Sequence, residues 1–136
     1  KMPNNFIPIN TAEAWQLSNP PIIAMAPLLA SLKIFDKAGI SKLRKKSIQL
    51  TDYLEYLILK KLHNKIKIIT PSQSTNRGCQ LSLQMINPVE NIMIKLDQSN
   101  IIADWREPDV IRIAPVPLYN TFKECFDFVE KLEKLI

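Results

Sequence analysis

Apolar residues recur along the chain with two periods. After Pro27, the positions Leu28, Leu29, Leu32 and Phe35 follow helical spacing and stop near Gly39. Ser41 can cap a second, longer helix, in which Leu43, Ser47, Leu50, Leu54, Leu57 and Ile58 form one stripe and lysines the opposite face. Residues 65–70 alternate lysine with isoleucine, which predicts a strand with one wet face. A polar loop covers 71–78. Alternation then returns over 78–86 and puts Cys79, Leu81, Leu83 and Met85 on one side. Asn87 and Glu90 form a capping-box pattern around Pro88, opening a short helix with Val89, Ile92, Met93 and Leu96. A third strand is predicted over 101–103, a turn over 104–109 and a fourth strand over 110–113. Asn120 then caps a last helix that turns Phe122, Phe126, Val129 and Leu132 inward.

This order predicts an α+β fold: a small, largely antiparallel sheet of about four strands, covered on one face by helices. Residues 1–19 have no sustained period and carry Pro3, Pro8 and several asparagines, so they read as extended connecting chain, with the folded domain over 20–136. At their junction, Pro20 and Pro21 stiffen the backbone behind Ser18 and Asn19 and prepare a helix start. Capping that helix is the plain role for the two polar side chains.

Composition narrows the chemistry. A chain of 136 residues is one domain's worth and can bury a core without disulfides. No apolar run reaches the length of a bilayer span, and the start lacks the layout of a signal peptide, so no membrane partner is expected. The first residue is Lys1, which suggests a piece of something longer. Cys79 and Cys125 sit in apolar patterns without partner spacing, consistent with a reduced, cytoplasmic setting. With His63 the only histidine and no paired cysteines, neither a zinc site nor a histidine-based triad can be assembled. Two glycines cannot build a glycine-rich phosphate loop. No metal ligand and no self-contained catalytic residue is therefore assigned within the chain. The net charge of +5 gathers around Lys42, Arg44, Lys45 and Lys46, yet no aromatic residues interleave to stack bases. A solvated helix face is the plainer reading, and a basic nucleic-acid-binding module the alternative.

One charge stands out from this background. Arg112 lies between Ile111 and Ile113, so a strand sends its guanidinium to the face that its neighbours avoid, and Pro115 and Pro117 end that strand just beyond it. It is either a structural ion pair or a solvated edge residue, or else a planar fork offered to a carboxylate or phosphate.

Several stretches resemble the kynureninase family. They are Trp15-Gln16-Leu17-Ser18-Asn19-Pro20-Pro21, Leu43-Arg44-Lys45-Lys46-Ser47 with Leu54-Glu55-Tyr56-Leu57, Ile68-Ile69-Thr70-Pro71-Ser72, Arg77-Gly78-Cys79-Gln80-Leu81, and Arg106-Glu107-Pro108 with the run from Ile111 to Asn120. They occur in order over nearly the whole chain, which resembles only the C-terminal small domain of these enzymes. The resemblance implies a pyridoxal-phosphate enzyme of aminotransferase-like fold. Its members hydrolyse L-kynurenine, or the 3-hydroxy form, to anthranilate or 3-hydroxyanthranilate and L-alanine. It also implies a cytoplasmic homodimer whose cofactor is held by a large domain outside this sequence, so that this chain holds no cofactor and is inactive alone. By resemblance, Arg112 holds the substrate α-carboxylate, Asn19 lines the substrate pocket, and Ser18 stands beside it. Ala14 departs from the glycine expected before Trp15. The small domain of another enzyme of this fold, a desulfurase or aminotransferase, is the near alternative.

Overall fold

The computed structural model describes residues 4–136, which form two compact units, one up to Lys37 and one from Ala38 to Ile136. In the first, a short 3-10 turn, Ala12–Trp15, precedes helix α1, Ile22–Ala38. The apolar spacing that the sequence shows from Pro27 lies five residues inside this helix, and the start prepared by Pro20 and Pro21 is the one observed. The Pro20-Pro21 pair begins the helix, with the Met25 amide donating to the Pro21 carbonyl at 3.0 Å, and Pro27 lies inside. A proline there removes one i→i−4 bond, and its would-be acceptor on Ile23 belongs to a residue 91 % exposed, where water can take the bond's place. None of the α1 residues is buried.

The second unit contains helix α2, Ile40–Leu62; strands β1, Ile66–Ile68, and β2, Leu81–Met85; helix α3, Ile92–Gln98; strands β3, Asp104–Arg106, and β4, Val110–Ile113; and helix α4, Phe122–Leu135. The sheet order is β1-β2-β4-β3 and every pairing is antiparallel. Leu81, Leu83 and Met85 of β2 and Ile111 and Ile113 of β4 point inward to a single core with Leu50, Leu54, Ile58 and Leu62 of α2, Ile92 and Leu96 of α3, and Val129 and Leu132 of α4. The α+β architecture read from the periods is thus the one observed, with helices on one face. Each large apolar side chain buried there contributes about 1.5–3 kcal/mol.

The caps differ from expectation. Gly39, at φ +82°, precedes α2 and occupies a left-handed conformation that favours glycine, so the helix begins one residue before Ser41. Asn91, not Asn87, precedes α3, and it too is left-handed, at φ 57°. Thr121 caps α4 through a capping box with Glu124, whose carboxyl is held below its ordinary range chiefly by the Thr121 hydroxyl. Asn120 does another job: its Oδ1 accepts from the Val116 amide at 2.8 Å and ties down the Pro115-Val116-Pro117 turn. The inward stripe of α4 is Cys125, Val129 and Leu132. Phe122 and Phe126 lie on its border, Phe122 edge-on to Tyr53 at 5.6 Å and Phe126 beneath the Lys61 ammonium at 5.8 Å. That lysine also bridges α2 to Glu130 and Glu133 of α4, which raise its pKa.

Candidate functional site: the open face of the sheet

Strand parity builds the site. β4 is an inner strand, paired with β2 on one side and β3 on the other, and alternation sends Ile111 and Ile113 into the core. Arg112 therefore stands on the opposite, helix-free face of the second unit, its side chain 32 % exposed. Its register partners are Ser82 on β2 and Asp104 on β3. The Pro115-Val116-Pro117 turn follows directly and fixes where β4 ends.

The sequence pattern places Asp104 in a turn, and it is instead the first residue of β3. The strand falls on 104–106 and not on 101–103 because Asp104-Trp105-Arg106 has the alternation that an edge strand over a core needs: Trp105 packs against the core while Asp104 and Arg106 share the wet face. Asp104 Oδ2 accepts from Arg112 Nε at 2.5 Å and also from Arg112 Nη2. The Arg106 Nη2 approaches the same oxygen at 3.2 Å. The hydrogen bond from Arg112, with Arg106 adding to it, holds the Asp104 carboxyl below the ordinary carboxylate range. One carboxylate between two guanidiniums leaves the group positively charged overall.

The second predicted group lies in the first unit. Ser18 and Asn19 are both exposed and stand in the bend that leads to Pro20, where Gln16 Nε2 donates to the Ser18 carbonyl at 2.8 Å. Neither caps α1, since the Pro21 carbonyl receives the first helical amide. Arg112 belongs to the other unit.

On the core side of β4 the second unit also has a largely apolar cavity of about 470 Å³, lined by Ile113, Ala114, Pro115, Tyr119, Cys125 and Phe128 among others. None of the three predicted site residues lines it. Burial and the neighbouring Glu124 push the Cys125 thiol up to about 11, which suits a core thiol and not a nucleophile. In the basic cluster, Arg44 is bonded to the Ser74 carbonyl, while Lys42 and Lys45 are solvated on α2. Among the described residues, no helix is long and apolar enough to cross a membrane.

Known proteins bear on this arrangement. Residues 43–132 match the family model described as the kynureninase C-terminal domain. The chain is 49 % identical to the kynureninase of Xanthomonas euvesicatoria pv. vesicatoria over 136 residues, covering 98 % of the chain and 32 % of that enzyme. It is 47 % identical to the kynureninase of Koribacter versatilis over 131 residues, covering 96 % of the chain and 31 % of the relative. It thus spans about a third of the length of these curated relatives. A solved structure of a C-DES mutant with glycine covalently linked to the PLP cofactor superposes with a TM-score of 0.70 at 19 % identity, covering 91 % of this chain and 32 % of that one, which shows a shared fold. The family model extends over most of the second unit, Arg112 included, and the relatives align over nearly the whole chain: it belongs to the kynureninase family, as its C-terminal domain.

Proposed function

We propose that this chain supplies the substrate-carboxylate clamp of a complete kynureninase. The enzyme hydrolyses L-kynurenine, or its 3-hydroxy form, to anthranilate or 3-hydroxyanthranilate and L-alanine. The observation that carries this reading is Arg112, a guanidinium on the open face of the sheet with donors to spare beyond Asp104. Two parallel N–H bonds from such a fork fix a carboxylate in distance and in plane, and thereby orient the rest of an amino acid. Arg112 fits the carboxylate of an amino acid, and the groups that hold the cofactor's ring and phosphate are assigned to the large domain. Pyridoxal phosphate, when bound, supplies the electron sink for the bond that breaks. Asn19, on the proline-stiffened segment, lines the pocket for the rest of the substrate, with Ser18 beside it. The assembled enzyme is a cytoplasmic homodimer, and this chain alone is inactive.

The test is anthranilate release from kynurenine by the complete, cofactor-loaded protein, with this chain alone as control. Release by the first and none by the second is expected. No release from a folded, loaded protein would assign the scaffold to another amino acid, as a desulfurase or aminotransferase of the same fold would require.

A further inference from the structure

The open face of the sheet holds a feature that the clamp reading leaves unused. A guanidinium has two edges that can make a parallel pair of hydrogen bonds, one through Nε and Nη2 and the other through Nη1 and Nη2. In Arg112 the first edge is taken, since both Nε and Nη2 donate to Asp104 Oδ2. Among the described residues nothing accepts from the Nη1 hydrogens or the remaining Nη2 hydrogen of the second edge, on a side chain 32 % exposed. Asp104 can hold it this way because it stands directly across from Arg112 in the β3–β4 register, so both side chains leave the sheet on one face.

Such a carboxylate ought to weaken anion binding by cancelling the charge of Arg112. The fold compensates. Arg106, two residues along β3 and therefore on the same face, brings its Nη2 to 3.2 Å from the same Asp104 oxygen. Two cations share one anion, and the trio keeps a positive charge for an incoming group. The low pKa of the Asp104 carboxyl is consistent with an anion held at neutral pH.

We infer that Asp104 is a positioning residue: it occupies the Nε edge of Arg112 and turns the Nη1–Nη2 edge toward an amino-acid carboxylate, with Arg106 as its counter-charge. This inference rests on the reading of Arg112 as the carboxylate clamp. The opposite possibility is that Asp104 is a plug that the substrate must displace, and the two predict opposite changes in KM.

The test uses the complete, cofactor-loaded enzyme carrying Asp104→Ala, Asp104→Asn and, in parallel, Arg112→Lys, each checked by thermal melting. For Asp104→Ala, KM for kynurenine is expected to rise about tenfold with kcat little changed, as for loss of one charge-assisted hydrogen bond. Asp104→Asn, whose amide oxygen still accepts from Nε, should recover part of that loss. A purely structural role would lower melting without this split between KM and kcat or this rescue. If Asp104→Ala does not fold, Asp104→Asn decides: a raised KM at unchanged kcat supports positioning. An unchanged or lowered KM in folded Asp104→Ala, or in Asp104→Asn where it alone folds, overturns the inference. If Arg112→Lys leaves KM unaltered, the clamp reading itself fails. If Arg112→Lys raises KM and the Asp104 variants do not, only the positioning role is lost.

Discussion

Arg77 and Arg112 are both arginines of the second unit paired to acidic side chains, and their surroundings leave them in opposite conditions. Arg77 lies in the loop before β2 with its side chain 1 % exposed. Its Nη2 reaches Asp52 Oδ1 at 2.7 Å and Glu55 Oε2 at 2.6 Å on α2, and its Nη1 donates to the Pro71 carbonyl at 3.2 Å. Burial acts to lower the pKa of this guanidinium, and the bonds and charges of Glu55 and Asp52 outweigh it and hold it above its ordinary value. Among the described residues Arg112 has a single acidic partner, on one edge, and its side chain is 32 % exposed. A sealed arginine with acceptors on both terminal nitrogens ties a loop to a helix, while a half-open one has donors left for a ligand. Both residues lie in stretches that resemble the family, so motif membership alone does not separate the two roles.

Substitutions should pull the pair apart. Arg77→Ala is expected to cost about 3–5 kcal/mol of stability, because Glu55 is left largely buried without its partner. Chemical denaturation would show this as a lower midpoint at unchanged slope, and a cost below about 1 kcal/mol, the worth of an exposed pair, would erase the contrast. Arg112→Lys should do the reverse. In the complete enzyme kcat/KM falls about 100-fold, as for a misplaced reacting group, while the melting temperature stays where it was. Parallel losses of folding and activity would return Arg112 to the structural class.

A thiol probe extends the same division between sealed and open groups. With its pKa at about 11, Cys125 has only about one thiolate in a thousand at pH 8, and it is 4 % exposed. Half-buried Cys79 should therefore label first, and Cys125 only after denaturant is added. Equal labelling rates in the folded state would mean that the α4 side of the core opens.

The smallest expected effect concerns pH. Because the folded state lowers the Asp104 pKa, the ion pair's contribution is present above the unfolded carboxylate value and is lost as pH falls through the folded one. The melting difference between the parent and Asp104→Asn should shrink on acidification below about pH 4, an unperturbed aspartate's range. A difference independent of pH would show that Asp104 contributes by packing and not by charge.

Where one period ran for many residues, the sequence was a dependable guide. All six of the α2 stripe positions named from spacing are buried, and so are Leu81, Leu83 and Met85. Parity alone put Arg112 on the face away from its isoleucines. Short segments were harder to read. Over 101–109 the apolar residues Ile101 to Ala103 drew the strand three residues early, and Asp104 was lost to a turn. The available signal was the period-two run of Asp104, Trp105 and Arg106. Three residues are too few for it to outweigh an adjacent apolar cluster. The cap of α4 turned on a neighbouring choice: Asn120 and Thr121 both cap well, and Glu124 at the third helical position selects Thr121.

The sequence by itself determined the element types, the α+β class, the buried faces of α2 and β2, and the family to which the chain belongs, because each is carried by a repeating pattern or a contiguous motif. Only the tertiary structure decided what Arg112 touches. Its partner is eight residues away along the chain and becomes its direct neighbour through the register of β3 on β4. Register follows from where the core takes up Trp105 and Ile111, and that is settled by side chains from three helices packing at once.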